Sequence, residues 1–384
     1  MADAPILGDQ LWAVLAPESI SDSVVVTDPT FKQRSQGWLD LRSCVQTASS
    51  FGVLLSSRDY QKVKKANAFQ TPDEYYKSLQ EHWSQAAGPV RPVVADGAQR
   101  TMEFGTNMEP LALKDYSDVL NAAYKKKHPN HTCRVDLSFP EFFIERTGVR
   151  AASPDGAVRV TFYDDETGVL NESLTEYGLV EVKAPTDGAF FRDPNRNTFL
   201  PLQKEDLRKR VKFDPYNGAR GNAKWPWDSP GRWGTWQIPK EFPVAADITP
   251  AEANWRVQNK LEVRNDDNSK RVAWFHANSE LQSYYYQCIG QLFIAPERYT
   301  WVDFFPWVGS DVNPDQPYQL VRLFKDDPEV QKDWKACEDI LQKEYVKHHK
   351  IYSENIKNFL AKHGKTYAVD CDVPPTLVQA PLAS

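Results

Sequence analysis

Cysteine pairs and long apolar runs are both scarce in this sequence. Its 384 residues include five cysteines, an odd number spread along the chain. That count argues against a disulfide framework or a structural zinc site and fits a reducing compartment. The apolar runs are short, as at residues 24–26, so no segment is expected to span a bilayer. The N-terminus lacks a basic stretch followed by an apolar one, so we expect no signal peptide and an intracellular protein.

Motifs of several common enzyme classes are also missing. The chain has no CxxC, HExxH, GxxxxGKS/T or GxGxxG pattern and no internal repeat. These absences remove the usual signatures of zinc hydrolases, P-loop proteins and dinucleotide-binding enzymes. The seven histidines have no metal-ligand spacing, so we interpret them as structural or surface residues. No local pattern supports a serine triad or a thiol enzyme.

Positive charge is missing from the first 30 residues, which carry five acids and no lysine or arginine. The formal net charge is −6, so the remaining residues are almost balanced and leave room for local basic clusters. We divide the chain into an acidic arm (1–30), a single domain (31–365) and a tail (366–384). A basic segment rich in tryptophan and proline (185–270) is interpreted as an insertion in the domain. It either stacks on nucleic-acid bases or packs as an irregular loop.

Hydrophobic periodicity alternates between helix and strand, which predicts an α/β fold. Alternation at residues 158–162, a turn at 164–168 and an apolar run at 179–182 together predict a β-hairpin. Pro110 must lie in the first turns of its helix or kink it. Residues 86–100 are interpreted as a loop. Helices are predicted over 35–57, 71–85, 102–124, 279–293 and 328–362, with strands within 135–184 and at 300–305.

The strongest chemical signal is the segment 153–156, of sequence SPDG, followed by Glu181, Val182 and Lys183. Residues i and i+2 of a strand point to the same face, so Glu181 and Lys183 project together while Val182 faces the other side. Asp155 stands at the start of the preceding strand. If the two strands pair, two carboxylates and one ammonium converge.

This set of groups suits the hydrolysis of a phosphodiester. Mg²⁺ prefers oxygen ligands and keeps several waters, so one or two carboxylates are sufficient to bind it. The main-chain carbonyl of Val182 could supply another oxygen. Lys183 could hold or deprotonate the attacking water, or stabilise charge on the phosphate.

Asp155, Glu181 and Lys183 match the pattern of PD-(D/E)XK nucleases. Three further segments appear in the order of one branch of that family: RSCVQTAS at 42–49, FGTNMEP at 104–110, and YYYQ at 284–287 with Gln291 after it. Over roughly residues 33–300 the chain therefore resembles the phage lambda exonuclease and YqaJ-type viral recombinase family. Residues 184–278 separate the strand motif from the helix that carries the YYYQ segment, a longer gap than a compact family member needs.

The resemblance implies a role for each matching acidic or basic residue of the strand motif. Asp155 and Glu181 would bind the catalytic metal, and Val182 could contribute its carbonyl. Glu109 would be an acidic ligand of a second metal ion. Lys183 would act on the attacking water.

The resemblance also implies roles outside the strands. Gln287 would touch the metal-bound water or the scissile phosphate, with Tyr284 beside it. Tyr284, Gln287 and Gln291 are spaced so that one helical face can present all three. Arg42 and Ser49 would grip a terminal 5′-phosphate, because a guanidinium fork and a hydroxyl suit a phosphate dianion.

The fold implied by the resemblance is α/β, with a PD-(D/E)XK restriction-endonuclease-like core, a central mixed sheet flanked by helices, and insertions. The implied activity is a Mg²⁺-dependent exonuclease, with Mn²⁺ as a substitute, that digests double-stranded DNA from 5′ ends and leaves 3′ single strands for recombination. The implied partners are double-stranded DNA ends, a single-strand annealing protein and further copies of the chain, since the family includes ring-shaped trimers. No membrane is implied, and the location would be the cytoplasm or a host nucleus.

Two other functions stay open. An endonuclease of the same fold, acting on DNA or RNA, would need no strand end. A catalytically inactive module would bind nucleic acid or a protein, but a decayed site should have lost at least one of its three strand residues. Each matching residue also has a purely structural interpretation, as a turn former, a solvated strand face, a helix-start acid, a surface ion pair or a helix cap.

Overall fold

The structure is a computed structural model, and it describes most of the predicted domain. The described residues are 23–26, 29–31, 33, 35–55, 71–84, 96–139, 142–145, 149–184, 192–193, 198–199, 279–307, 318, 320–364 and 377–378. Almost all of the insertion predicted at 185–270 lies outside them, so its proposed role stays a prediction.

The described residues form seven α-helices and twelve strands. Helices α1 to α7 are Gln36–Cys44, Ala48–Leu54, Pro72–Ser84, Asp96–Lys127, Ser279–Ile294, Pro328–Lys347 and His349–Phe359. Strands β1 to β12 are Ser23–Val26, Gln46–Thr47, His131–Ser138, Phe142–Glu145, Arg150–Ala152, Gly156–Asp164, Glu176–Lys183, Arg192–Asp193, Thr198–Phe199, Trp301–Pro306, Val321–Phe324 and Leu377–Val378. Short 3₁₀ turns at Pro29–Phe31 and Glu172–Leu174 and a π turn at Leu360–Gly364 complete the order.

The central sheet is mixed and contains the predicted hairpin. Its strand order is β11-β10-β7-β6-β3, and β6 and β7 pair antiparallel as predicted. β10 runs parallel to β7, whereas β11 and β3 join antiparallel. A second sheet has the order β12-β1-β4-β5-β2, so short strands from the predicted arm and tail pair with each other. The α/β fold with a mixed sheet flanked by helices is therefore confirmed.

Helix starts follow their local sequence signals. Thr71 and Glu74 form a capping box at α3, in which the Thr71 N–H donates to Glu74 and the Glu74 N–H donates to Thr71 Oγ1. Asp327 caps α6 by accepting from the Glu329 N–H, and Pro328 occupies the first turn. These starts agree with the predicted helices at 71–85 and 328–362, although the second is broken at His348.

One prediction about α4 is wrong. The helix begins at Asp96, so residues 96–100 are helical and do not belong to a loop. Pro110 consequently lies inside the helix, which excludes the first of the two positions predicted for it, the first turns or a kink. The six additional residues before 102 carry no apolar stripe, and for that reason periodicity did not reveal them.

The two faces of β7 pack against different helices. Leu179 packs in a core cluster with Tyr285 and Ile289 of α5, whereas Val180 and Val182 pack in a cluster that contains residues of α4. Glu181 and Lys183 share the parity of Leu179 and therefore face the α5 side. The predicted division of this strand into a polar pair and an opposite apolar face is confirmed.

Helices α2 and α5 cross closely because each contributes a glycine at the contact. A Cβ atom added at Gly52 would lie 2.9 Å from the Cα of Ser283, and one added at Gly290 would lie 2.5 Å from the ring of Phe51. Any larger side chain at either position would push the helices apart.

In the described residues, no helix is both long enough and apolar enough to cross a membrane.

We expect Gly52→Ala to lower the free energy of unfolding by about 1–3 kcal/mol, because the new methyl group meets helix backbone that cannot move aside. The matched control is Gly105→Ala in α4, where a Cβ would meet nothing closer than a carbonyl oxygen at 3.7 Å. That change should be neutral or stabilising, since alanine favours helix. Urea unfolding of both variants checks the prediction, and equal stabilities would contradict it.

Candidate active site

The strand motif lies where β6 begins and β7 ends. The antiparallel register pairs Gly156 with Val180, so Asp155 stands beside the last residues of β7. Oδ2 of Asp155 accepts a hydrogen bond from the Val182 N–H at 2.8 Å. The N–H and C=O of one strand residue point to the same side, so the Val182 carbonyl also faces Asp155. The structure thus places Asp155, Glu181 and the Val182 carbonyl close together.

Glu181 is a buried carboxylate surrounded by donors. Only 1% of the residue is exposed. Its Oε1 accepts hydrogen bonds from Lys183 Nζ and, at 2.7 Å, from Gln287 Nε2. Its Oε2 accepts from Gln291 Nε2 at 2.6 Å. A buried carboxylate requires such donors, and here they join the strand motif to α5, which is distant in sequence.

Three carboxylates act on each other at this point. Burial raises the pKa of Asp155 well above its ordinary value, and the charges of Glu181 and Glu109 raise it further. Burial opposes the charge on Lys183, but Glu181 and Asp155 outweigh that effect and raise the pKa of its ammonium group. Glu109, carried by α4, is therefore close enough to act on Asp155, and its role as a ligand of a second metal ion stays a prediction.

Tyr284 contributes its ring to the centre. The Lys183 ammonium lies 5.3 Å from the centroid of that ring, within the range of a cation–π contact. The same ring also stacks with the ring of Phe304, at a centroid distance of 5.5 Å. Tyr284 is thus held beside Lys183 by packing, and the contact to Lys183 is made through the ring face.

The predicted phosphate-binding pair is also assembled. Nη2 of Arg42 donates to Ser49 Oγ at 2.8 Å, and the guanidinium lies 4.4 Å from the centroid of the Trp38 ring. Burial lowers the pKa of Arg42, while the charges of Tyr75 and Glu181 act in the opposite sense. Glu181 is therefore close enough to influence Arg42, so the basic pocket adjoins the acidic centre.

The motif search assigned no role to two residues beside this pocket. Thr47 Oγ1 lies 3.2 Å from Ser49 Oγ and accepts from Arg42 at 3.4 Å. Tyr75 lies on α3, and its charge acts on Arg42. No local signal could have revealed Tyr75, because packing alone places it.

The residues fit a hydrated divalent cation better than a closed metal cage. Within the described ranges, no three His, Cys, Asp or Glu side chains form a ready metal-binding group. Mg²⁺ does not need one, because it binds through one or two carboxylates and keeps several waters. Besides burial, the charges of Glu181 and Glu109 raise the pKa of Asp155, and a cation bound there would offset that repulsion. Asp155, Glu181 and the Val182 carbonyl could hold it.

The mixed sheet and the acidic centre at the end of its hairpin are those of the nuclease class that the strand motif predicted. The family model of the YqaJ-like viral recombinase domain matches residues 37–297, and the chain belongs to this family. A crystal structure of LHK-Exo in complex with dAMP aligns with a TM-score of 0.36 and 13% identity, over 86% of this chain and 100% of that one. No curated protein matches the chain. Membership of the family supports a recombination nuclease in general.

In the metal-free protein, we expect Asp155→Asn to reduce the loss of stability at rising pH. The raised pKa of Asp155 means that the folded chain keeps a proton which the unfolded chain has already lost. That contribution to stability is fully present below the unfolded pKa and disappears as the pH rises through the folded pKa. Between about pH 5 and pH 9, the fall in Tm should be smaller for the variant by about 2 °C or more.

Thermal melting followed by circular dichroism in EDTA measures this difference. Asp118→Asn is the control, because Asp118 is a partly exposed residue of α4 whose partner is Lys114. That variant should keep the wild-type dependence on pH. Parallel curves for Asp155→Asn and the wild type would show that the Asp155 carboxyl is not perturbed.

Proposed function

We propose that this protein is a Mg²⁺-dependent exonuclease that degrades double-stranded DNA from 5′ ends and leaves 3′ single strands for recombination. The observation that carries the proposal is the position of the Arg42–Ser49 pocket next to the acidic centre of Glu181. A pocket that grips a terminal phosphate beside a hydrolytic centre would select the phosphodiester nearest the end. Such a pocket is the physical basis of exonuclease polarity.

Asp155 and Glu181 would hold the metal ion, together with the Val182 carbonyl, while Glu109 would serve a second ion. Mg²⁺ bound there would neutralise charge on the scissile phosphate and lower the pKa of the attacking water. The carboxylates are positioned for this by the Val182 N–H and by the donors around Glu181.

Lys183 would act as an electrostatic group. Its raised pKa keeps the ammonium charged at neutral pH, which favours stabilising the negative phosphate over accepting a proton from water. The Tyr284 ring beside it restricts where the ammonium can lie. Gln287 would orient the water or a phosphate oxygen through its amide. The proposed roles of Lys183 and Gln287 follow from their positions beside Glu181 and from the charge of Lys183.

The partners follow from the same proposal. Double-stranded DNA ends would be the substrate, and an annealing protein would take up the 3′ strand that remains. We also propose a homo-oligomer, a trimer by resemblance to the family, working in the cytoplasm or a host nucleus.

The decisive experiment compares linear DNA with 5′-phosphate ends, linear DNA with 5′-hydroxyl ends and closed circular DNA, each with Mg²⁺ and with EDTA. We expect mononucleotides from linear 5′-phosphorylated DNA only when Mg²⁺ is present, and no cleavage of the circle. Lys183→Ala should lower the rate at least about 100-fold while DNA binding persists, because it removes charge from the centre and not from the DNA groove. Cleavage of the circle would indicate an endonuclease, and binding without any cleavage would indicate an inactive module.

Arg42→Ala should reduce the preference for 5′-phosphate over 5′-hydroxyl ends about tenfold or more, because a charge-assisted hydrogen bond to the phosphate is lost. The ratio of cleavage rates on the two substrates measures it. Arg159→Ala is the control, since Arg159 is a half-buried arginine of β6 paired with Asp136 at 2.9 Å. It should keep the wild-type ratio. An equal loss of rate on both ends in Arg42→Ala would remove the phosphate pocket from the proposal.

A further inference from the structure

Gln291 is a polar residue at a position where α5 is otherwise apolar. It is 1% exposed, and its neighbours on the buried face, Cys288 and Leu292, are fully buried. Glutamine is rarely buried to this extent. A methionine or leucine would fill the same space without removing an amide from water. Packing alone therefore does not account for a glutamine here.

The orientation of the amide shows what it serves. Nε2 donates to Glu181 Oε2 at 2.6 Å, whereas the buried Oε1 has no hydrogen-bond partner among the residues that the structure describes. An ionised carboxylate only accepts hydrogen bonds, so the nitrogen of the amide must face it. The orientation that lets the amide nitrogen donate to Glu181 thus leaves the amide oxygen without a hydrogen bond among the described residues.

We propose that Gln291 is a positioning residue that fixes the Glu181 carboxylate for metal binding. It holds Oε2 from within the core, while Oε1 is the oxygen that Lys183 and Gln287 contact. The Gln291 amide would thereby fix the orientation of the carboxylate from the core side, without itself contacting metal or DNA. The inference rests on the proposed function, since it takes Glu181 as a ligand. Partners in this outer position orient metal ligands and strengthen binding.

The test is calorimetric titration of the full chain with Mn²⁺ and with Mg²⁺ in the absence of DNA. Gln291→Met keeps the volume and removes the donor, and it should weaken metal binding about tenfold. Cleavage of linear DNA should recover at high Mg²⁺, and the KM for DNA should stay unchanged. A merely structural role would move neither the metal affinity nor the Mg²⁺ dependence.

Gln46→Met is the matched control. Gln46 is also fully buried, its Nε2 donates to the Leu341 carbonyl at 3.1 Å, and its Oε1 likewise has no partner among the described residues. That variant should lose comparable thermal stability and keep the wild-type metal affinity. Metal affinity that is unchanged in Gln291→Met, or lowered equally in Gln46→Met, would overturn the inference.

A second pair keeps the test decisive if Gln291→Met does not fold. Gln291→Asn stays polar but is one methylene too short to reach Glu181, and Gln46→Asn is its control. Unchanged affinity in Gln291→Asn would also overturn the inference. A wild-type chain that neither binds metal nor cleaves DNA would instead refute the proposed function, so the two failures are distinguishable.

Discussion

The burial of one carboxylate, that of Glu181, organises the site. Removing a charged group from water is unfavourable unless donors surround it, and β7 alone supplies only Lys183. Gln287 and Gln291 supply the rest, so the carboxylate is satisfied only when α5 packs on the sheet. Formation of the acidic centre is therefore coupled to formation of the core, because the groups around Glu181 lie on a strand and a helix.

A second constraint is the close crossing of α2 and α5 at Gly52 and Gly290. Because α2 begins directly after β2, the crossing that seats α5 on the sheet also brings Ser49 and its partner Arg42 toward Glu181. One packing contact thus joins a basic pocket to an acidic centre.

The periodicities of strands and helices were sufficient to predict which candidate site residues share a face. The period of two in a strand placed Glu181 and Lys183 on one face, and the spacing of Tyr284, Gln287 and Gln291 placed them on one side of a helix. The same rules failed at residues 96–100, where the helix continues upstream without an apolar stripe. They also missed Tyr75, whose position beside Arg42 results from the packing of α3 and leaves no mark in the neighbouring residues.

The amino-acid sequence by itself determined most of the helices, the strand pair at Asp155 and Glu181, and the family to which the chain belongs, because these depend on residues near each other or on motif order. Only the tertiary structure decided that Glu181 is buried under two amides and that its charge reaches Arg42 and Asp155. Burial and electrostatic coupling depend on distances through space between segments far apart in the chain. No spacing along the sequence encodes those distances.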